Sequence, residues 1–141
     1  MSDWNTQVIN EFRANGGKVA QFGDVPLVIL HTIGAKSGSL REIPLVALVN
    51  DDRMVVFASA AGSPRHPDWY FNLLANPDIT VEYGTETFPA RVTQLSAEDA
   101  AAALATQAAV MPQFATYVTT AAPRVIPAFS VTRRSPDAHE G

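Results

Sequence analysis

Between Pro26 and Leu95 the chain carries five runs rich in β-branched and aliphatic residues, set apart by turn signals and interrupted by one helical segment. They read "PLVILHTI" (Pro26–Ile33), "IPLVALVN" (Ile43–Asn50), "MVVFASA" from Met54, "ITVEY" (Ile79–Tyr83) and "ETFPARVTQL" (Glu86–Leu95). Asn50–Asp51–Asp52–Arg53 marks a tight turn between the second and third, and Gly84 turns the fourth into the fifth. A last run, "VIPAFSVTR", closes the series at Val125–Arg133. The helix–strand alternation that a doubly wound parallel sheet needs is missing. The expectation is therefore an α+β fold, mainly antiparallel β: a barrel-like sheet of about six strands with three to four helices packed outside it.

The helices have their own signals. Trp4, Val8 and Phe12 recur every four residues over Asp3–Asn15, and Gly16–Gly17 ends the segment. Its apolar stripe leaves two roles open: packing on the body, or an arm that covers a site or touches a membrane surface. Pro67 suits the first turn of a helix through "DWYFNLLA", which Asn76–Pro77 stops. Ser96 with Asp99 forms a cap before the Ala-rich "AEDAAAALATQAAVM". In "MPQFATY", Met111, Phe114 and Tyr117 are spaced by three and are expected to share one helical face. The organisation reads as one domain, 1–141, with a helix or arm over 1–17 and a solvated tail over 133–141.

The formal net charge of −4 offers no basic field to nucleic acid, so an anionic ligand needs a local cluster of cations. The absence of cysteine removes disulfides and thiol chemistry together. His31, His66 and His139 are scattered without metal-ligand spacing, no metal site is expected, and no hydrolase motif is present. Neither a signal-like apolar core nor an apolar window of membrane-spanning length is visible. The reading is a cytoplasmic chain, with membrane-surface attachment left open and a monomer or weak dimer as its assembly.

Two stretches carry candidate chemistry. In "GAKSGSLR", Lys36 and Arg41 lie five apart with Gly34 and Gly38 relaxing the backbone, so several N–H groups and two cations can converge on one anion. In "ASAAGSPRHPDWYFN", the small residues Ala58, Ser59, Ala60, Ala61 and Gly62 permit close approach of something flat, and Arg65, His66, Asp68, Trp69 and Tyr70 follow. Hairpin geometry places Arg41 and the Ala60–Arg65 segment at the same end of one ladder. The bland alternatives are a solvated hairpin loop, a core Trp69, a helix-start His66 and a packing stripe at Met111, Phe114 and Tyr117.

"TIGAKSGSLREIPLVALV" followed by "VVFASAAGSPRHPDWYFNLLANPDITVEY" resembles the deazaflavin-dependent nitroreductase family, proteins of actinobacteria that use coenzyme F420. The resemblance covers about Leu27 to Val131. It implies a split β-barrel, like that of FMN-binding proteins, with reduced F420 held in a groove. It also implies that Lys36, Ser37, Gly38 and Arg41 hold the phosphate and the polyglutamate tail. Pro44, Ala58 to Gly62, Arg65, His66, Asp68, Trp69, Tyr70 and Asn72 would line the rest of the groove. Met111, Phe114 and Tyr117 would form the substrate pocket. Two cations of the family pattern are replaced here, by Ala35 and Ala60, and Arg65 lies in the same loop as the second.

By the same resemblance, the activity is hydride transfer from C5 of the reduced deazaflavin to an electron-poor double bond: a quinone, an α,β-unsaturated ketone or lactone, or a nitroaromatic. Tyr117, Ser59 or a water would supply or stabilise the proton. The competing readings are an FMN or haem protein on the same barrel, and a non-catalytic carrier of a fatty acid or similar lipid.

Overall fold

The structure, a computed structural model, describes residues 3–23, 25–50, 53–59, 65–122 and 125–134. Six strands, β1 (Leu27–Ile33), β2 (Leu40–Asn50), β3 (Arg53–Phe57), β4 (Asp78–Tyr83), β5 (Glu86–Gln94) and β6 (Ala128–Arg133), close into a barrel in the order β1-β2-β3-β6-β5-β4. Every pairing is antiparallel. Around it lie α1 (Asp3–Ala14), α2 (Asp68–Ala75), α3 (Ala97–Val110) and α4 (Gln113–Ala121).

Period-2 alternation sorts the strand residues. Val28, Leu30, Ala47, Val56, Val81, Phe88 and Val131 fill the interior, joined by Trp69 from α2. Val55, Phe57 and Ala128 face outward onto α3 and α4. Leu27 and Ile29 take Val8, Ile9 and Phe12 of α1. The apolar stripe of α1 is thus spent on the barrel, which answers the choice between packed helix and arm; the side chain of Trp4 lies outside the described residues. No helix among the described residues is long and apolar enough to cross a membrane.

Three local expectations need correction. β2 starts at Leu40, three residues before the apolar run, so Arg41 sits on the strand opposite Thr32 and not in the connector. The ladder to β1 carries these polar residues along because pairing needs only backbone groups. Pro67 is the N-cap of α2, in extended backbone (ψ 156°), one place before the first turn. Met111 caps the end of α3 while Pro112 starts α4, so Met111 and Tyr117 do not share a helix. The cap at Ser96 is as expected: its Oγ accepts from the Asp99 N–H at 3.1 Å.

The α1 end is fixed by charge as well as by packing. Arg13 donates to Glu82 on β4 at 2.6 and 3.1 Å and to Glu42 on β2 at 3.0 Å. His31 on β1 lies 2.7 Å from Glu82 through Nε2, which must carry the proton because an ionised carboxylate only accepts. The Arg13 guanidinium holds the Glu82 carboxyl below its usual range against the opposing effect of burial, and the His31 bond adds to it. Glu82 in turn raises the affinity of Arg13 for its proton.

A carboxylate with a depressed folded-state pKa stabilises the protein above its ordinary pKa, and that stability is lost as pH falls through the folded value. Thermal melts from neutral pH to about pH 3 should therefore show an acid-side loss of stability that is smaller in Glu82→Gln. Arg13→Ala should cost about 1–3 kcal/mol at neutral pH by leaving the Glu82 carboxylate with His31 as its remaining partner. Equal acid-side slopes in the native protein and Glu82→Gln would contradict this role.

Candidate functional site

The connector from β1 to β2 folds back on itself. Gly34 N–H donates to the Ser39 carbonyl at 2.8 Å, and Gly38 N–H to the Gly34 carbonyl at 2.9 Å. Ser37 Oγ accepts from Ser39 N–H and lies 2.8 Å from Ser39 Oγ. A Cβ at Gly34 would come 2.5 Å from Ser37 Oγ and 3.5 Å from Arg41 Nε, so the guanidinium stem lies over the loop. Gly38 takes φ 72°, which a side chain would strain.

Helix α2 braces this loop from beneath. Asn72, 7% exposed, accepts the Ala35 N–H on Oδ1 at 2.9 Å. The Asn76 amide lies 3.5 Å from the Ile33 carbonyl. What remains uncommitted is the set of cations and N–H groups on the connector. Among the described residues, the N–H groups of Lys36 and Ser37 have no hydrogen-bond partner, and neither Lys36 nor Arg41 forms an ion pair. Arg13, Arg91, Arg133 and Arg134 all meet a carboxylate. Two exposed cations and two N–H groups without a partner among the described residues, on one glycine-shaped loop, are a donor set suited to a phosphate or carboxylate.

Beside the loop the barrel is split. β2 pairs with β1 from Leu40 to Val46, but its pairing with β3 ends at Ala47↔Val56. Ala58 N–H instead donates to Pro127 at 2.9 Å, continuing the β3–β6 ladder. The Leu40–Val46 edge of β2 is therefore unpaired on its second side among the described residues, at the end of the ladder where the chain leaves β3. Continuing the register would set Leu45 opposite Ala58.

The sequence-predicted residues distribute unevenly around this split. Lys36, Ser37, Gly38, Arg41, Arg65 and Asp68 are exposed, and Ser59, His66 and Tyr70 are half-buried. His66 stacks on Tyr70 with ring centroids 4.2 Å apart, and Tyr70 meets Phe129 edge-on at 5.8 Å. Pro44, Ala58, Trp69 and Asn72 are buried. Trp69 packs towards Phe129 in the barrel core, as the bland reading had it, and Asn72 is a brace for the connector. Ala60, Ala61 and Gly62 lie outside the described residues.

Phe114 packs edge-on against Phe57 at 5.7 Å, and Tyr117 lies 5.2 Å from Phe114. Met111 reaches the same cluster from the end of α3, its sulfur accepting from Gln107 at 3.2 Å. The triplet converges despite spanning two helices. Sequence reasoning missed another group: His31, Glu42 and Glu82 bring a potential ligand atom each within 4.8 Å of one another. Three different strands contribute, so no spacing announces it, and Arg13 already supplies the positive charge there.

A six-stranded antiparallel barrel with one ladder split beside a cationic loop defines the class: a split β-barrel with a cationic connector. The comparisons carry this further. The sequence profile of the F420H(2)-dependent quinone reductase family matches residues 4–132, and the chain belongs to that family. A solved F420-H2 dependent reductase (FDR-A) is 36% identical, with TM-score 0.68 over 75% of this chain and 93% of that one. A second solved chain, described as a domain-swapped dimer, is 32% identical with TM-score 0.69 over 92% and 97%. An F420H(2)-dependent quinone reductase of Mycobacterium tuberculosis is 37% identical over 79 residues, 55% of this chain and 53% of the relative. The chain thus spans about half the length of the curated relatives it matches.

Proposed function

We propose that the chain is an F420H2-dependent reductase whose acceptor is a quinone. The observation that carries the reading is the connector: Lys36, Arg41 and the free N–H groups of Lys36 and Ser37, uncommitted among the described residues, beside the split edge of β2. The chemistry of that donor set fits the phosphate and carboxylates of coenzyme F420, and membership of the family favours this cofactor over FMN, haem or a lipid. Arg65 stands in for the cations replaced by Ala35 and Ala60.

When bound, the reduced deazaflavin supplies a hydride from C5. The protein's share is position and proton. Lys36 and Arg41 would hold the anionic end, the floor supported by Ala58, Trp69 and Asn72 would carry the ring, and His66 and Tyr70 would flank it. A quinone gains the hydride and one proton, and Tyr117 or Ser59 holds that proton. This end of α4 suits an apolar acceptor, since it exposes Val118 and leaves Met111 and Tyr117 half-buried over the buried Phe114. Nitroaromatics and enones are secondary acceptors in this reading. The assembly is a monomer or weak dimer, and the domain-swapped relative favours the dimer.

The test is anaerobic oxidation of F420H2 by the purified chain with menadione, a nitroaromatic and an enone, followed by return of the oxidised cofactor's absorbance. Turnover is expected with menadione and should be fastest there. A protein that binds F420 yet turns over none of the three would refute the reductase reading, and one purified with tightly bound FMN would replace the cofactor.

A further inference from the structure

The split in the barrel has a proline on its edge. Ala47 donates its N–H to the Pro26 carbonyl at 3.0 Å, which fixes the alternation along β2. The register to β1 is unbroken, so Arg41, Ile43, Leu45 and Ala47 turn their backbone groups to β1. Glu42, Pro44 and Val46 turn theirs to the side of β3. Pro44 therefore stands where its missing N–H takes no bond from β1 and denies one to β3. On the facing strand, Ala58 N–H goes to Pro127 on the β6 side, so the backbone groups of Phe57, and of Ser59 if the strand ran on, face β2. Continuing the register of Leu48↔Val55 sets Val46 against Phe57 and Pro44 against Ser59. Neither pair is formed among the described residues, and the ladder has ended at Ala47↔Val56. β5 ends a ladder in the same way. Arg134 N–H reaches the Pro89 carbonyl at 2.8 Å, Pro89 has no donor to return, and pairing to β6 stops at Ala90↔Arg133.

We propose that Pro44 is a positioning residue that keeps the barrel split: with no donor at this place β2 and β3 do not zip together, and the slot stays open for the flat part of the cofactor. This rests on the F420 reading above and gives Pro44 a role carried by its backbone. The experiment combines hydrogen exchange on the full chain without cofactor and fluorescence titration with F420. Pro44→Val restores the N–H on an apolar, strand-favouring side chain in a buried place. The new amide at position 44 should be protected from exchange, and F420 should bind about tenfold more weakly, because the open form has become the minor one. Weaker binding with that amide unprotected would mean a packing role and would overturn the proposal, as would unchanged affinity. If Pro44→Val does not fold, Pro44→Ala restores the same N–H and is read in the same two ways. If the native protein does not bind F420, the cofactor reading falls, while protection at position 44 still decides whether the proline ends the ladder.

Discussion

Replacement of Lys36 and Arg41 together by alanine is expected to weaken F420 binding by about 100-fold or more and to leave the melting temperature almost unchanged. The size follows from the chemistry: a hydrogen bond between charged partners contributes about 1.5–3 kcal/mol, and each 1.4 kcal/mol is about tenfold in affinity. The neutrality towards folding follows from the structure. Both side chains are exposed and neither has an acid partner among the described residues, so their removal strands nothing. The single variants should each lose about tenfold or more. The salt dependence of binding should also flatten in the double variant, because the screened attraction has gone. Cofactor fluorescence titration at two ionic strengths reads all three effects, with circular dichroism as the control for fold. Unchanged affinity in the double variant would remove the connector from the site.

Trp69→Ala carries the largest expected cost in stability. Its ring is 8% exposed, sits in the barrel interior and faces Phe129 at a centroid distance of 6.3 Å. Truncation of such a side chain costs about 3–5 kcal/mol, lost transfer energy and unfilled cavity together. In a domain of this size that lowers Tm by about 10 °C or more. Phe71 is the internal control. It lies two residues further along the same helix but is 50% exposed, and Phe71→Ala should cost less than about 1 kcal/mol. Calorimetric melts of the two variants should therefore separate clearly. A Trp69→Ala protein as stable as Phe71→Ala would mean that α2 is not anchored through the barrel, and the brace from Asn72 to Ala35 would lose its support.

What could be read from the sequence was whatever local physics decides. The six strands, the Gly84 turn, the Ser96 cap and the stop at Asn76 appear where their residues point, although β3 ends at Phe57, before the small residues, and β6 starts at Ala128, after Pro127. The start of β2 was not legible, because Leu40, Arg41 and Glu42 are recruited by backbone pairing to Ile33, Thr32 and His31 and not by their own hydrophobicity. The break at Met111–Pro112 was hidden inside a convincing spacing of three: a proline that opens a helix also ends the one before it. The roles of Trp69 and Asn72 turned on burial, which a motif does not encode. The Arg13–Glu42–Glu82–His31 group was out of reach, since four elements distant in sequence meet only when the barrel closes. Of the candidate site, the cations and the loop glycines were legible. The unpaired edge of β2 beside them was not, because it depends on where the ladder to β3 ends.

The most direct test of the account is a crystal structure of the chain with F420 bound. The account places the cofactor's phosphate within hydrogen-bonding reach of Lys36 and of the N–H groups of Lys36 and Ser37, with the deazaflavin over the split between β2 and β3. A cofactor bound with its anionic end away from the connector, or with its ring on another face of the barrel, would contradict it.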